Sequence, residues 1–112
     1  MALDLASFRD KLLARRDELL AEDRMSETDR APVALDQDSV GRLSRIDAMQ
    51  VQAMAIAQAR RRQAERGAID AALRRIDEGE FGYCLKCGAD IAPARIEHNP
   101  SVTTCIDCAK EG

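Results

Sequence analysis

Two Cys-x-x-Cys pairs near the end of the chain limit its fold more than any other feature. They are Cys84-Leu-Lys-Cys87 and Cys105-Ile-Asp-Cys108, with 17 residues between them. Two thiolates at this spacing can bind one metal ion. Two such pairs about 15–20 residues apart are a common zinc-binding motif. Four thiolates complete the tetrahedral shell of Zn²⁺. The pattern predicts one structural zinc ion, held by Cys84, Cys87, Cys105 and Cys108 in a small zinc-ribbon-like module over residues 79–112.

Other uses of the cysteines fit less well. A redox Cys-x-x-Cys pair needs a strand–helix context that the flanking residues do not provide. The start of the chain, Met1-Ala-Leu-Asp4, has neither the basic nor the apolar region of a signal peptide. We therefore expect a cytoplasmic protein whose cysteines bind metal rather than form disulfides. An iron–sulfur cluster on the four cysteines stays open. His98, the only histidine, is interpreted as a loop residue facing solvent.

The residues before the cysteines predict a helical hairpin. No proline occurs from Val40 to Phe81, which predicts a long helix over about residues 39–78 that stops at Gly79. A helix of that length needs a partner. The partner is a first helix over about residues 4–25, and Pro32 lies in the loop over about 26–38. The predicted fold is therefore mostly α: an antiparallel, coiled-coil-like hairpin over residues 1–78, followed by the zinc module.

The apolar positions predict which helix faces meet. On the first helix they are Leu5, Phe8, Leu12 and Leu19, and on the second Leu43, Ile46, Met49 or Gln50, Ala53, Ile56 or Ala57, Ala64, Ala68, Ala71 and Ile76. Arg60 and Arg61 interrupt this second series. The stretch 48–59 carries no charge. Either it is buried on more than one side, or it is a surface for weak self-association.

Composition excludes several classes of function. The chain has 17 Lys and Arg against 20 Asp and Glu, a net charge of −3, whereas a general nucleic-acid binder carries a positive excess. No apolar run is long enough for a transmembrane helix. The sequence contains no nucleophile–histidine–acid set, no phosphate-cradling glycine loop and no carboxylate pair in an apolar setting, so it predicts no enzyme.

The stretch Gly79-Glu-Phe-Gly-Tyr-Cys-Leu-Lys-Cys-Gly, the later Cys105-Ile-Asp-Cys108 and the preceding hairpin together resemble the DksA/TraR family, also called DnaK suppressor proteins. The resemblance implies a bacterial transcription regulator. Such proteins insert the hairpin into the secondary channel of RNA polymerase, often together with ppGpp. RNA polymerase is therefore the expected partner, and sequence-specific DNA binding and membrane binding are not expected.

One motif of the family is absent. The best-studied tip motif, Asp-x-x-Asp-x-Ala, occurs nowhere in this chain. Counting back from Cys84 places it near Gly41, Ser44 and Ile46. The residues near the tip that could contact a partner are Arg42, Ser44, Arg45 and Asp47, with Asp36 and Asp38 close by. Polymerase binding could therefore persist while the regulatory output differs.

Two alternative functions stay open. One is a zinc-stapled helical adaptor or oligomerisation module, and the other is a zinc module that binds nucleic acid directly. Arg60, Arg61, Arg62 and Arg66 form a basic cluster with two interpretations. It contacts an acidic rim of the channel, or it is a solvated face paired with Glu65 and with acids of the first helix.

Overall fold

A computed structural model of the chain describes residues 3–31 and 42–111, with side chains described from residue 45 onward in the second range. This part contains the helices α1 (Leu5–Met25), α2 (Glu27–Arg30), α3 (Arg42–Glu78), α4 (Pro93–His98) and α5 (Ile106–Glu111). Its only strand-like pairing is an isolated antiparallel bridge between Tyr83 and Asp90. None of these helices combines the length and the apolar character needed to cross a membrane.

The ends of the two main helices follow from local chemistry. Asp4 caps α1, because its Oδ1 accepts the Ser7 N–H at 3.1 Å. At the end of α3, the Glu80 N–H donates to the Arg75 carbonyl at 2.8 Å and the Gly79 N–H to the Ile76 carbonyl at 3.3 Å. Gly79 has φ +76°, the left-handed conformation of this C-terminal cap. The predicted stop at Gly79 is confirmed, and the predicted start near residue 39 lies outside the described residues.

The predicted loop from residue 26 begins with one helical turn, α2. The Arg30 guanidinium holds this turn, since it donates to Ser26 Oγ at 3.0 Å and to the Asp23 carbonyl at 2.6 Å. Pro32 disfavours helix at the residue before it. Ala31 is accordingly extended, with φ −64° and ψ 151°, and the helical turn ends at Arg30.

The described residues divide into two compact units, and the first combines Met1–Asp17 with Arg66–Gly112. Its core is formed by Phe8, Leu12, Ile69, Ala72, Ile76, Phe81, Ile91 and Ile96, all buried. The Phe8 and Phe81 rings are in tilted contact, with centroids 5.7 Å apart. Arg9 pairs with Asp77, and Arg16 pairs with Asp70. Moving forward by seven residues along α1 therefore corresponds to moving back by seven residues along α3. The helices are therefore antiparallel, as predicted.

The second unit, Glu18–Glu65, holds the remaining parts of α1 and α3 with α2 between them. Leu19 and Ala55 are its buried apolar side chains. Asp23 of α1 pairs with Arg62 of α3, and the Gln52 amide donates to the Ala31 carbonyl at 2.9 Å. From Asp23 forward to Ala31, the partner residues on α3 go backward from Arg62 to Gln52. The two segments of this unit are therefore also antiparallel.

The predicted contact face of the second helix is wrong over much of its length. Ile76 is buried as predicted, and Ile56, the alternative to Ala57, is half-buried. However, Ile46, Met49, Gln50, Ala53 and Ala64 are exposed, and the other buried residues of α3 are Ala55, Ile69 and Ala72. Alanine occurs on every side of this helix, so it does not identify the packed face. Arg62 also takes a position in the heptad series 55, 62, 69, 76, where an apolar residue is normally expected. Consequently Arg60 and Arg61 do not interrupt the packed face, because both are exposed.

Candidate metal centre

The structure brings the four predicted thiols together. One Sγ atom from each of Cys84, Cys87, Cys105 and Cys108 lies within 4.8 Å of all the others. The Cys87 and Cys105 Sγ atoms are 3.8 Å apart. A tetrahedral zinc ion with Zn–S bonds of about 2.3 Å requires sulfur–sulfur separations of about 3.8 Å. The cluster therefore has the size and the all-sulfur chemistry of a structural zinc site.

Both cysteine pairs use the same backbone turn. The Gly88 N–H donates to the Cys84 carbonyl at 2.9 Å, and the Ala109 N–H donates to the Cys105 carbonyl at 3.0 Å. The chain then leaves the two turns differently. Gly88 has φ +76°, while Ala109 lies inside α5. Glycine suits the first turn because it tolerates positive φ, and alanine suits the second because that turn continues as a helix.

The segment between the pairs positions them. The Leu85 N–H donates to the Thr103 carbonyl at 2.8 Å, so the first pair is tied to the chain entering the second. Arg95 Nε donates to the Thr104 carbonyl at 2.9 Å, directly before Cys105. Ile91 and Ile96 are buried, as expected for residues that cover the site. Arg95 was not singled out by sequence reasoning, since nothing in its neighbours indicates a bond to a carbonyl nine residues away.

Hydrogen bonds within the cluster shift the pKa values of the thiols in different directions. Backbone N–H groups of Cys105 and Cys87 lower the pKa of Cys84 to about 6. Hydrogen bonds with the thiols of Cys105, Cys84 and Cys87 raise the pKa of Cys108 to about 12. The Ala89 N–H lowers the pKa of Cys87, but the thiols of Cys84 and Cys105 outweigh it and the pKa is raised. A cation is what allows all four to be thiolates at neutral pH.

Four residues near the cluster differ in their surroundings. His98 faces solvent as predicted, but it is the last residue of α4 rather than part of a loop. Pro93 begins that helix, where its missing N–H costs nothing. Phe81 is buried against Phe8, whereas Tyr83 is 46% exposed and does not pack as Phe81 does.

The predicted tip residues are described only in part. Arg45 and Asp47 lie near the start of α3, Arg45 half-buried and Asp47 exposed. The side chains of Arg42 and Ser44 lie outside the described residues. In the basic cluster, Arg62 Nε donates to Asp23 Oδ1 at 2.6 Å, with only 13% and 19% of the two side chains exposed. For Arg62 the pairing with an acid of the first helix is thus confirmed.

Comparison with known proteins defines the class. Residues 79–111 match the model of the prokaryotic dksA/traR C4-type zinc finger. The solved structure of transcription factor DksA2 from Pseudomonas aeruginosa superposes with a TM-score of 0.76 at 24% identity, over 96% of this chain and 81% of that one. The fold and the thiol cluster define a helical-hairpin protein with a C4 zinc finger that holds a structural zinc ion.

Relatives identify the family within this class. The chain is 30% identical over 106 residues to the RNA polymerase-binding transcription factor DksA of Caulobacter vibrioides, across 92% of this chain and 71% of that protein. The DksA proteins of Haemophilus influenzae and Escherichia coli are 45% and 40% identical over 40 residues, and this chain spans about a quarter of their length (28% and 26%). The chain belongs to the DksA/TraR family.

Proposed function

We propose that this chain regulates transcription by binding RNA polymerase through its hairpin, with one zinc ion on Cys84, Cys87, Cys105 and Cys108 stabilising the C-terminal module. The observation that carries the proposal is the similarity to the Caulobacter protein, whose name states that it binds RNA polymerase. That similarity extends over hairpin and zinc finger together. The role proposed for zinc is structural, because four thiolates leave no open coordination position.

The hairpin end is the proposed contact with the secondary channel of the polymerase. The family resemblance implies that this end enters the channel, and Arg42, Ser44, Arg45 and Asp47 are the residues proposed to make contact here. Asp47 supports this assignment because it is exposed and makes no ion pair within the described residues. An exposed charge of this kind is available to a partner, whereas a packing role would bury it.

Binding to polymerase rather than to DNA is supported by charge. The net charge of −3 opposes attraction to the phosphate backbone. Within the basic cluster, the half-buried Arg62 is already paired with Asp23. This arginine is therefore not available for phosphate contacts.

Competition for the polymerase tests the proposal. The purified zinc-loaded chain is mixed with core RNA polymerase and a labelled protein known to occupy the secondary channel, and displacement of the label is measured. We expect concentration-dependent displacement. Binding to bare DNA that weakens steeply with salt would support the nucleic-acid alternative instead. Failure to displace the label would favour the adaptor alternative.

A further inference from the structure

One face of α3 is apolar and exposed. Ile46, Gln50, Ala53 and Ala57 follow the spacing of a single helix face, and all four are exposed. Met54, which is 63% exposed, lies among them, and Met49 at the edge is 55% exposed. The interpretation that residues 48–59 are buried on more than one side is wrong, since Ala55 is the only buried residue among them.

The charges that bound this face are arranged symmetrically. Asp47 precedes Met54 by seven residues, and Arg61 follows it by seven. A spacing of seven keeps all three on one side of the helix, and all three are exposed. Residues 48–59 carry no charge, and the exposed Arg60 adds a second positive charge beside Arg61. Neither Asp47 nor Arg61 makes an ion pair with the part of the chain that the structure describes.

This arrangement is complementary to itself. A two-fold axis through Met54 would turn a second copy of α3 antiparallel to the first. Asp47 of each copy then lies beside Arg61 of the other, and the two Met54 side chains meet at the centre. A parallel pair would instead place Asp47 beside Asp47 and Arg61 beside Arg61. Opposite charges at both ends and an uncharged centre favour the antiparallel pair alone.

We propose that two copies of this chain associate antiparallel through the exposed face of α3, defined as Ile46, Gln50, Ala53, Met54 and Ala57, with Asp47 and Arg61 pairing across the two-fold axis. The 12 uncharged residues span about 18 Å of helix. A stable interface buries about 800 Å² on each partner, which one helix face of this length does not reach. The association is therefore weak and reversible. Because Asp47 also belongs to the proposed polymerase contact, a chain in this pair cannot use that residue for the polymerase at the same time.

Sedimentation velocity over a wide concentration range, with zinc-loaded protein, measures the association. We expect the weight-average sedimentation coefficient to rise with concentration from the monomer toward the dimer value. Met54→Glu should weaken the association by at least about tenfold, because it buries two like charges at the axis. Gln63→Glu is the matched control: it adds the same charge at an exposed position on the opposite side of the helix and should leave the association unchanged.

Charge reversal tests the antiparallel direction. Asp47→Arg alone and Arg61→Asp alone each create like-charge contacts in the antiparallel pair and should weaken it. The double variant Asp47→Arg with Arg61→Asp restores opposite charges and should restore the association. All these residues are exposed, so circular dichroism and zinc content should be unchanged in every variant. A monomer at all concentrations, a Met54→Glu protein that associates like the parent, or a double variant that is not restored would each overturn the proposal.

Discussion

Gly88 and Ala109 occupy equivalent positions after the second cysteine of each pair, yet only the first position requires glycine. From the residue types alone, alanine predicts a less favourable turn than glycine does. In the structure Ala109 is helical and its turn is as well bonded as the first. The spacing of the cysteines predicted the cluster because two short turns determine it. The direction in which the chain leaves each turn depends on contacts beyond the motif, such as that of Arg95 with Thr104.

Removing one thiol should release the zinc. Cys84→Ser leaves three thiolates at a site that needs four, and metal binding is coupled to folding. Metal analysis of the parent should give about one zinc per chain, and the variant should be largely metal-free with a melted C-terminal module. The long helix should keep much of its circular dichroism signal. His98→Ala, at an exposed position outside the cluster, should retain zinc. A metal-free variant with an intact module would contradict a structural role for the ion.

Acid should also release the zinc. At pH 7 in the metal-free protein Cys108, with its pKa raised to about 12, keeps its proton, and the raised pKa of Cys87 acts in the same direction. Zinc must displace these protons, so its apparent affinity falls as the pH falls, by about tenfold per pH unit for each displaced proton. Competition with a chromophoric chelator at several pH values measures the slope. An affinity independent of pH would mean that the thiols were already ionised.

Element boundaries were more predictable than the face on which the helices pack. Asp4 and Gly79 carry local signals for a helix start and a helix stop, and the structure uses both. The packed face of α3 carries no comparable signal, because small alanines lie on all sides and an arginine occupies one of its positions. The ion pair with Asp23 in the structure is what shows that Arg62 lies on the packed face.

Arg62 should matter more for stability than its neighbour Arg61. Arg62→Ala removes a largely buried ion pair with Asp23 and a hydrogen bond of 2.8 Å to Ser26 Oγ. We expect the free energy of unfolding to fall by about 1–3 kcal/mol. Arg61→Ala makes the same chemical change at an exposed position and should alter it by less than about 0.5 kcal/mol. Urea denaturation of dilute protein measures both. Equal effects would show that the pair with Asp23 contributes nothing specific.

A proline inside the long helix should disrupt it. Gln50 lies inside α3 with its side chain exposed, so a substitution there affects stability mainly through the helix backbone. Gln50→Pro removes a helical hydrogen bond and introduces a steric clash, at a cost of about 3 kcal/mol or more. The melting temperature and the helical circular dichroism signal should both fall. Gln50→Ala, which keeps the backbone N–H and favours helix, should leave both nearly unchanged.

At the scale of the whole molecule, the relationship to the family extends across 92% of the chain, whereas the absent tip motif concerns a few residues. The similarity bears on binding to polymerase, whereas the absent motif bears on the regulation of transcription. Similarity along the hairpin and the zinc finger favours retained binding to polymerase. The resemblance implies that this end lies toward the polymerase active site, where metal ions and nucleic acid make charge effective, and the missing aspartates make the proposed end less acidic than the family motif. Binding and regulatory output should therefore be separable in this protein.

A double substitution at the hairpin end tests that separation. Arg42→Ala with Asp47→Ala should leave helicity and zinc content intact, because alanine favours helix and neither residue is one of the four cysteines. Transcription initiation in vitro should lose its response to the protein. The unmodified chain should itself affect initiation less than, or differently from, a family member with both tip aspartates. Displacement of a secondary-channel binder is measured in the same reactions and reports on binding alone. If the unmodified chain displaces the binder but does not affect initiation, this hairpin end binds the polymerase without regulating it. A double variant that regulates like the parent would show that contacts elsewhere carry the output.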